Sequence, residues 1–205
     1  MSKSSGYAIR DGVEGRERLR VLARVMGDSS KALLDRLDLR DGLACLDGGC
    51  GGGDVTLELA RRVAPSGRVV GVDADPTTLE IARGHFTHPD SPSQRRYEDL
   101  YCELVRRRGG DPNIGPRLPS LLRSAGFTAI GVAVVQPVAL VGEAKLMTPI
   151  TMEKIADAVL QEGLATRAEV DAIIRGLYDF ATDPETLSGV PRIVQAWGRR
   201  ECSGE

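Results

Sequence analysis

In the stretch LDGGCGGGD, Asp47, Gly49, Gly51 and Gly53 are spaced D-x-G-x-G-x-G, and Asp73 follows the last of them by twenty positions. Glycines at such a spacing let a backbone turn tightly and let a ligand come close to its amide groups. A helix expected to begin at Asp54 opens with unpaired N–H groups, which favour a phosphate or a carboxylate. An acid at the end of the next strand can accept two hydrogen bonds from ribose hydroxyls. Together these residues suit a nucleotide-like cofactor. A dinucleotide fits poorly: its G-x-G-x-x-G pattern puts the last glycine at Asp54 when counted from Gly49, and at Thr56 when counted from Gly51. The plainer alternative is that the glycines only tighten a turn and Asp73 caps a helix. The order strand, turn, helix, strand, acid weighs against it.

The elements that must position these residues are legible as well. LACLD (43–47) reads as a short buried strand, and DVTLELARRVA as a helix with Val55, Leu59, Ala60 and Val63 inward. PSG (65–67) ends that helix. RVVGVDAD is a second strand, apolar enough to be covered on both faces as parallel strands are. A further helix runs from about Pro76 to Arg83. Ahead of this βαβ unit, residues 14–38 predict two covering helices, the second capped by Ser29/Ser30. Beyond it, helices are expected over about 94–108 and 117–125, and a strand at TAIGVAVVQPV (128–138). Residues 148–182 are helical, with Thr151 placed to cap, Gly163 to stop, and Thr166 in a capping box with Glu169. RIVQAWGRR (192–200) is the last strand, making a narrow set of four.

At these residues the chain resembles the class I S-adenosylmethionine-dependent methyltransferases, in the small-molecule branch that carries LD-x-GCGGGD and GVD-x-D. The resemblance continues in RRRGGDPNIGPRLPSLLRSAGF and PRIVQAWGRR, and so covers most of the chain. It implies an α/β fold: a Rossmann-like sheet with helices on both faces, here reduced in strand number, plus a helical lid insertion. It also implies S-adenosylmethionine as cofactor, with Gly49, Gly51 and Gly53 along the methionine part and Asp73 on the ribose. Asp47, Cys50 and Ala74 complete the implied cofactor-binding set, and the acceptor is a small molecule. One departure is Gly48, where a bulkier apolar residue is usual.

In the family, the helix after the ribose-binding acid leads to third, fourth and fifth strands. Here LEIAR runs directly into GHFTHPDSP, which is similar to the segment following the fifth. At about 30 residues per βαβ unit, roughly 60 to 75 residues are missing, with the junction at Arg83–Gly84. The family's strand order is 3-2-1-4-5-7-6. The first strand therefore either pairs with the last, Leu43 to Leu46 against Ile193 to Ala196, or its open edge recruits a second chain. An alternative to an enzyme follows: a non-catalytic, internally deleted remnant that binds cofactor weakly or self-associates. No residue is assigned as catalytic base.

The remaining features bound the reading. His85, His88 and Cys102 raise the thought of a metal, but no fourth ligand has suitable spacing, and none is expected. Either histidine could accept a proton, though a loop histidine satisfied by water or backbone is the simpler account. Tyr7 and Arg18 could close over the cofactor or lie on the surface, and Arg106 to Arg108 read as a solvated helix end. With 27 Lys plus Arg against 29 Asp plus Glu and no basic stripe, nucleic acid is not an expected partner. Four cysteines in no CxxC spacing and an N-terminus without an apolar stretch predict a reduced, cytoplasmic protein, and no apolar run is long enough to span a bilayer. A single domain over 1–205 is expected, with covering helices in 1–40, the cofactor-binding unit in 41–83 and the lid in 145–188.

Overall fold

The computed structural model describes residues 13–50, 52–72 and 86–200, with side chains from Val21 onward. The βαβ unit forms where the sequence places it. Strands β1 (Ala44–Gly48) and β2 (Arg68–Val72) pair in parallel, from Ala44 opposite Arg68 to Gly48 opposite Val72, and α2 (Asp54–Val63) joins them. The helix buries Leu59 and Val63, whereas Ala60, expected beside them, is exposed. Ser66 donates from its backbone N–H to Asp41 at 2.8 Å, tying the exit of α2 to the entrance of β1.

Cys45, Asp47 and Val69 are half-buried, while Leu46, Val70 and Val72 are 58%, 52% and 47% exposed. Among the described residues, therefore, one face of the parallel pair is bare, and the expectation that β2 is covered on both sides fails. Among the described residues β1 pairs only with β2, and β7 (Ile193–Arg199) only with β4 (Thr128–Val135), so no described strand lies along the second edge of β1. The pairing of Leu43–Leu46 with Ile193–Ala196 is not formed.

The β4–β7 pair is antiparallel, with Val135 opposite Ile193 and Gly131 opposite Trp197. Gly131 is required there because the Trp197 indole occupies the place of a Cβ. Between Thr128 and Gly131 the register shifts, and Ala129 takes a left-handed φ of 46°. Strand β4 stops at Val135, short of 138, just ahead of the donor-less Pro137. Val138–Ala139 (β5) instead joins a small antiparallel sheet, β3 (Thr87–His88), β6 (Leu187–Gly189), β5, in that order outward. None of these three short strands is visible in the apolar pattern.

The helices depart from expectation in two places. Residues 14–38 give one helix, α1 (Val13–Asp35), not two. Ser29 does not cap a new helix; its hydroxyl donates to the Met26 carbonyl at 2.9 Å, so the backbone continues. Helix α5 (Glu143–Gln161) begins behind Gly142, well before 148, which leaves Thr151 in its interior, donating to the Met147 carbonyl at 2.6 Å. Thr166 does cap α6 (Arg167–Thr182), accepting from Glu169 N–H at 3.2 Å. The Glu169 carboxylate, however, accepts from Arg96 at 2.7 Å.

The largest core lies among α3 (Pro92–Arg107), α5 and α6, where Tyr97, Tyr101, Leu104, Ile155, Val159 and Val170 are essentially inaccessible. A 3-10 turn (Gly115–Arg117) and α4 (Leu118–Ser124) follow α3 and lie beside β4 and β7. Helix α1 bridges to α5 through Val21 and Met147 and through a two-pronged Arg24–Glu143 contact at 2.6 and 2.8 Å. Its far end meets α2, where Arg62 pairs with Asp35 at 2.7 Å. The whole is a mixed α/β chain, a reduced Rossmann-like arrangement of helices and small sheets.

Candidate functional site

The glycine loop lies between β1 and α2, as its composition requires. Gly49 and Gly53 have φ values of 79° and 84°, a left-handed region that costs other residues dearly. Among the described residues, chain neighbours aside, nothing lies within 4 Å of the Cβ that either would carry, so the left-handed conformation is what favours glycine there. Gly48, the departure from the resembled pattern, has no described residue beyond its neighbours within 4 Å of a Cβ, and no positive φ. The loop is anchored to β2 by one oxygen: the Val72 carbonyl accepts from Gly49 N–H at 2.7 Å and from Cys50 N–H at 3.2 Å. Gly53 N–H donates to the Cys50 carbonyl at 2.8 Å and closes the turn into α2.

Asp47, at the C-terminal end of β1, is half-buried and accepts from the Thr56 hydroxyl at 2.6 Å. Gly71 stands opposite Asp47 in the register. A Cβ on Gly71 would lie 3.0 Å from both the Cys50 Sγ and the Thr56 Oγ1. Asp47, Cys50, Thr56 and Gly71 thus form one cluster at the end of the parallel pair. Thr56 and Gly71 were not singled out by sequence as site residues; the available signal was a glycine inside an otherwise apolar strand, which marks a close approach. Of the expected cofactor set, Gly51, Asp73 and Ala74 lie outside the described residues, as do the 76–83 helix and the Arg83–Gly84 junction. Asp73 directly follows Val72, the residue that anchors the loop.

The weaker candidates separate. His88 is exposed on β3, whereas Cys102 is sealed in the α3–α5–α6 core; His85 lies outside the described residues. Among the described residues no group of three metal-ligating side chains forms. Tyr7 and the side chain of Arg18 also lie outside them. Arg107, expected in a solvated helix end, donates at 2.8 Å to the Glu162 carbonyl at the C-terminus of α5. Burial pushes the Cys45 thiol up, so β1 carries no ready thiolate. Burial likewise raises the Glu98 carboxyl against the bond it accepts from Gln94, and the neighbouring Asp99 adds to the rise.

Residues 39–90 match the family described as "Methyltransferase domain". The chain is 49% identical over 55 residues to 2-phytyl-1,4-naphtoquinone methyltransferase of Thermosynechococcus vestitus, which is 27% of this chain and 24% of that protein. It is 29% identical over 167 residues to nocamycin O-methyltransferase of Saccharothrix syringae, covering 74% of this chain and 58% of that one. A third similarity, 49% over 51 residues, is to an uncharacterized 37.1 kDa protein in transposon TN4556 of Streptomyces fradiae, 25% of this chain and 15% of that protein. In each case the chain spans less than two thirds of its relative's length. Residues 39–90, the stretch similar to that methyltransferase domain, hold β1, α2 and β2 of the parallel unit.

Proposed function

We propose that this chain binds S-adenosylmethionine at the C-terminal ends of β1 and β2 and directs its methyl group to a small-molecule acceptor. One observation carries the reading: a loop held left-handed at Gly49 and Gly53 and pinned by its own amides to Val72, immediately ahead of Asp73. The residues fit such a cofactor. Asp47 offers a carboxylate to N–H or O–H donors, Gly49, Cys50, Gly51 and Gly53 offer backbone close to an amino-acid tail, and Asp73 with Ala74 follows the strand end where a ribose would lie. When bound, the cofactor supplies a methyl group activated by a sulfonium. The chain's part is to hold and orient it so that a nucleophile can approach in line. The acceptors in the relatives' names, nocamycin and a phytyl naphthoquinone, are small molecules, and this supports one here. We assign the helical segment 145–188, which holds most of α5 and all of α6, to the acceptor side as a lid.

Calorimetric titration with S-adenosylmethionine tests the binding step. Saturable binding by the wild type, weakened at least about tenfold in Asp73→Ala, is the expected result; a silent wild-type titration overturns it.

A second reading is favoured by the second edge of β1, along which no described strand lies, and by the exposed Leu46, Val70 and Val72 of the parallel pair. In it the chain is an internally shortened methyltransferase, joined at Arg83–Gly84, that holds cofactor without a complete acceptor pocket and self-associates through its sheet edges. Labelled-methyl transfer across a panel of small acceptors separates the two, since product forms only under the first.

A further inference from the structure

We infer that Thr56 is a positioning residue for Asp47, setting the carboxylate for the cofactor through the only hydroxyl proton it has. The inference rests on the cofactor reading above. Thr56 occupies the third position of α2, behind the N-cap Gly53. A threonine inside a helix ordinarily donates back to a carbonyl three or four residues earlier. Here the proton goes across to Asp47 Oδ2 at 2.6 Å, nine residues back and on another element.

That bond exists because of what β2 lacks. Gly71 is level with Asp47, and a Cβ on it would stand 3.0 Å from Thr56 Oγ1 and 3.0 Å from Cys50 Sγ. A side chain at 71 would push the hydroxyl and the thiol away together, so the strand leaves room for both. Holding one carboxylate oxygen fixes the plane of the group and leaves the other oxygen to accept from a ligand. A bond from hydroxyl to carboxylate is of the stronger, charge-assisted kind. Glycine loop, strand end and helix start are thereby joined at the point where a ligand's amino or hydroxyl group would meet Asp47.

The test is calorimetry with S-adenosylmethionine on the full chain and on Thr56→Val, Thr56→Ser, Asp47→Asn and Thr56→Val/Asp47→Asn. Thr56→Val, matched in volume, should weaken binding about five- to tenfold. Thr56→Ser, which keeps the hydroxyl, should stay within about twofold of wild type. The double variant should bind no more weakly than Asp47→Asn alone, because the hydroxyl then has no carboxylate to set. Urea melts establish that each variant folds, and Thr56→Ala replaces Thr56→Val if the latter does not melt cooperatively.

Wild-type-like binding by Thr56→Val overturns the inference while leaving the cofactor site standing. So does an equal loss in Thr56→Ser, or an undiminished loss in the Asp47→Asn background. A wild type that takes up no cofactor overturns the cofactor reading itself, and the positioning role with it.

Discussion

Gly48 and Gly49 are neighbours that a sequence cannot rank, and their backbones separate them. Gly49→Ala forces a Cβ onto a φ of 79° and should cost about 1–2 kcal/mol. Gly48→Ala meets open space at an ordinary φ, and its urea midpoint should stay with the wild type. Lys145 is a different case, a buried ammonium 2% exposed. It donates to the Leu140, Asp183 and Thr186 carbonyls and to the Thr186 hydroxyl, at 2.6 to 3.0 Å. Lys145→Met strands those acceptors and should cost about 2–4 kcal/mol in the same melts. Two carboxylates give opposite pH signatures. Burial raises Glu98 above its unfolded value near 4.5, so the native state holds its proton longer and stability falls as pH rises through that window. Glu98→Gln should therefore be the more stable protein at pH 7 and match the wild type near pH 4. The Ser66 N–H holds Asp41 below 3.8, so its contribution is present above that pH and is lost as pH falls through the folded value. Asp41→Asn should flatten that acid limb.

At the scale of elements, the α3–α5–α6 core carries the greatest load, and Ile155→Ala should cost about 2–5 kcal/mol by chemical denaturation. Ala129, left-handed at the irregularity in β4, is relieved by glycine: Ala129→Gly should raise stability by about 0.5–1 kcal/mol. The strong elements were legible because their signals are local. The glycine loop, the apolar runs of β1, β2, β4 and β7, and the Thr166 cap need only their own neighbours to be read. Ser29 and Thr151 bond back within their helices instead of capping them, because a hydroxyl can do either and sequence does not record which carbonyl takes the proton. Strands β3, β5 and β6, two or three residues long, exist only through each other and have no period to detect. Thr56 was invisible for a related reason, since its partner stands on a different element.

At the scale of the molecule, the parallel β1–β2 pair and the antiparallel β4–β7 pair are the two flanks of the sheet order that the resemblance implies, and no described strand joins them. Leu46, Val70 and Val72 on one flank and Val132 and Val134 on the other remain exposed. Such surface, with open strand edges beside it, favours contact between chains. Light scattering after size exclusion should give at least twice the chain mass at high concentration, and Val70→Lys should shift the population toward the single chain. A concentration-independent single-chain mass removes the self-association reading.

The Val72 carbonyl, which accepts from both Gly49 and Cys50, makes the loop and the strand end one exchange unit. β2 cannot fray at Val72 without freeing both amides at once. In deuterium these two amide protons should therefore exchange at a common rate, set by the end of the strand rather than by the loop. A ligand that stabilises the residues just past Val72 should slow both together.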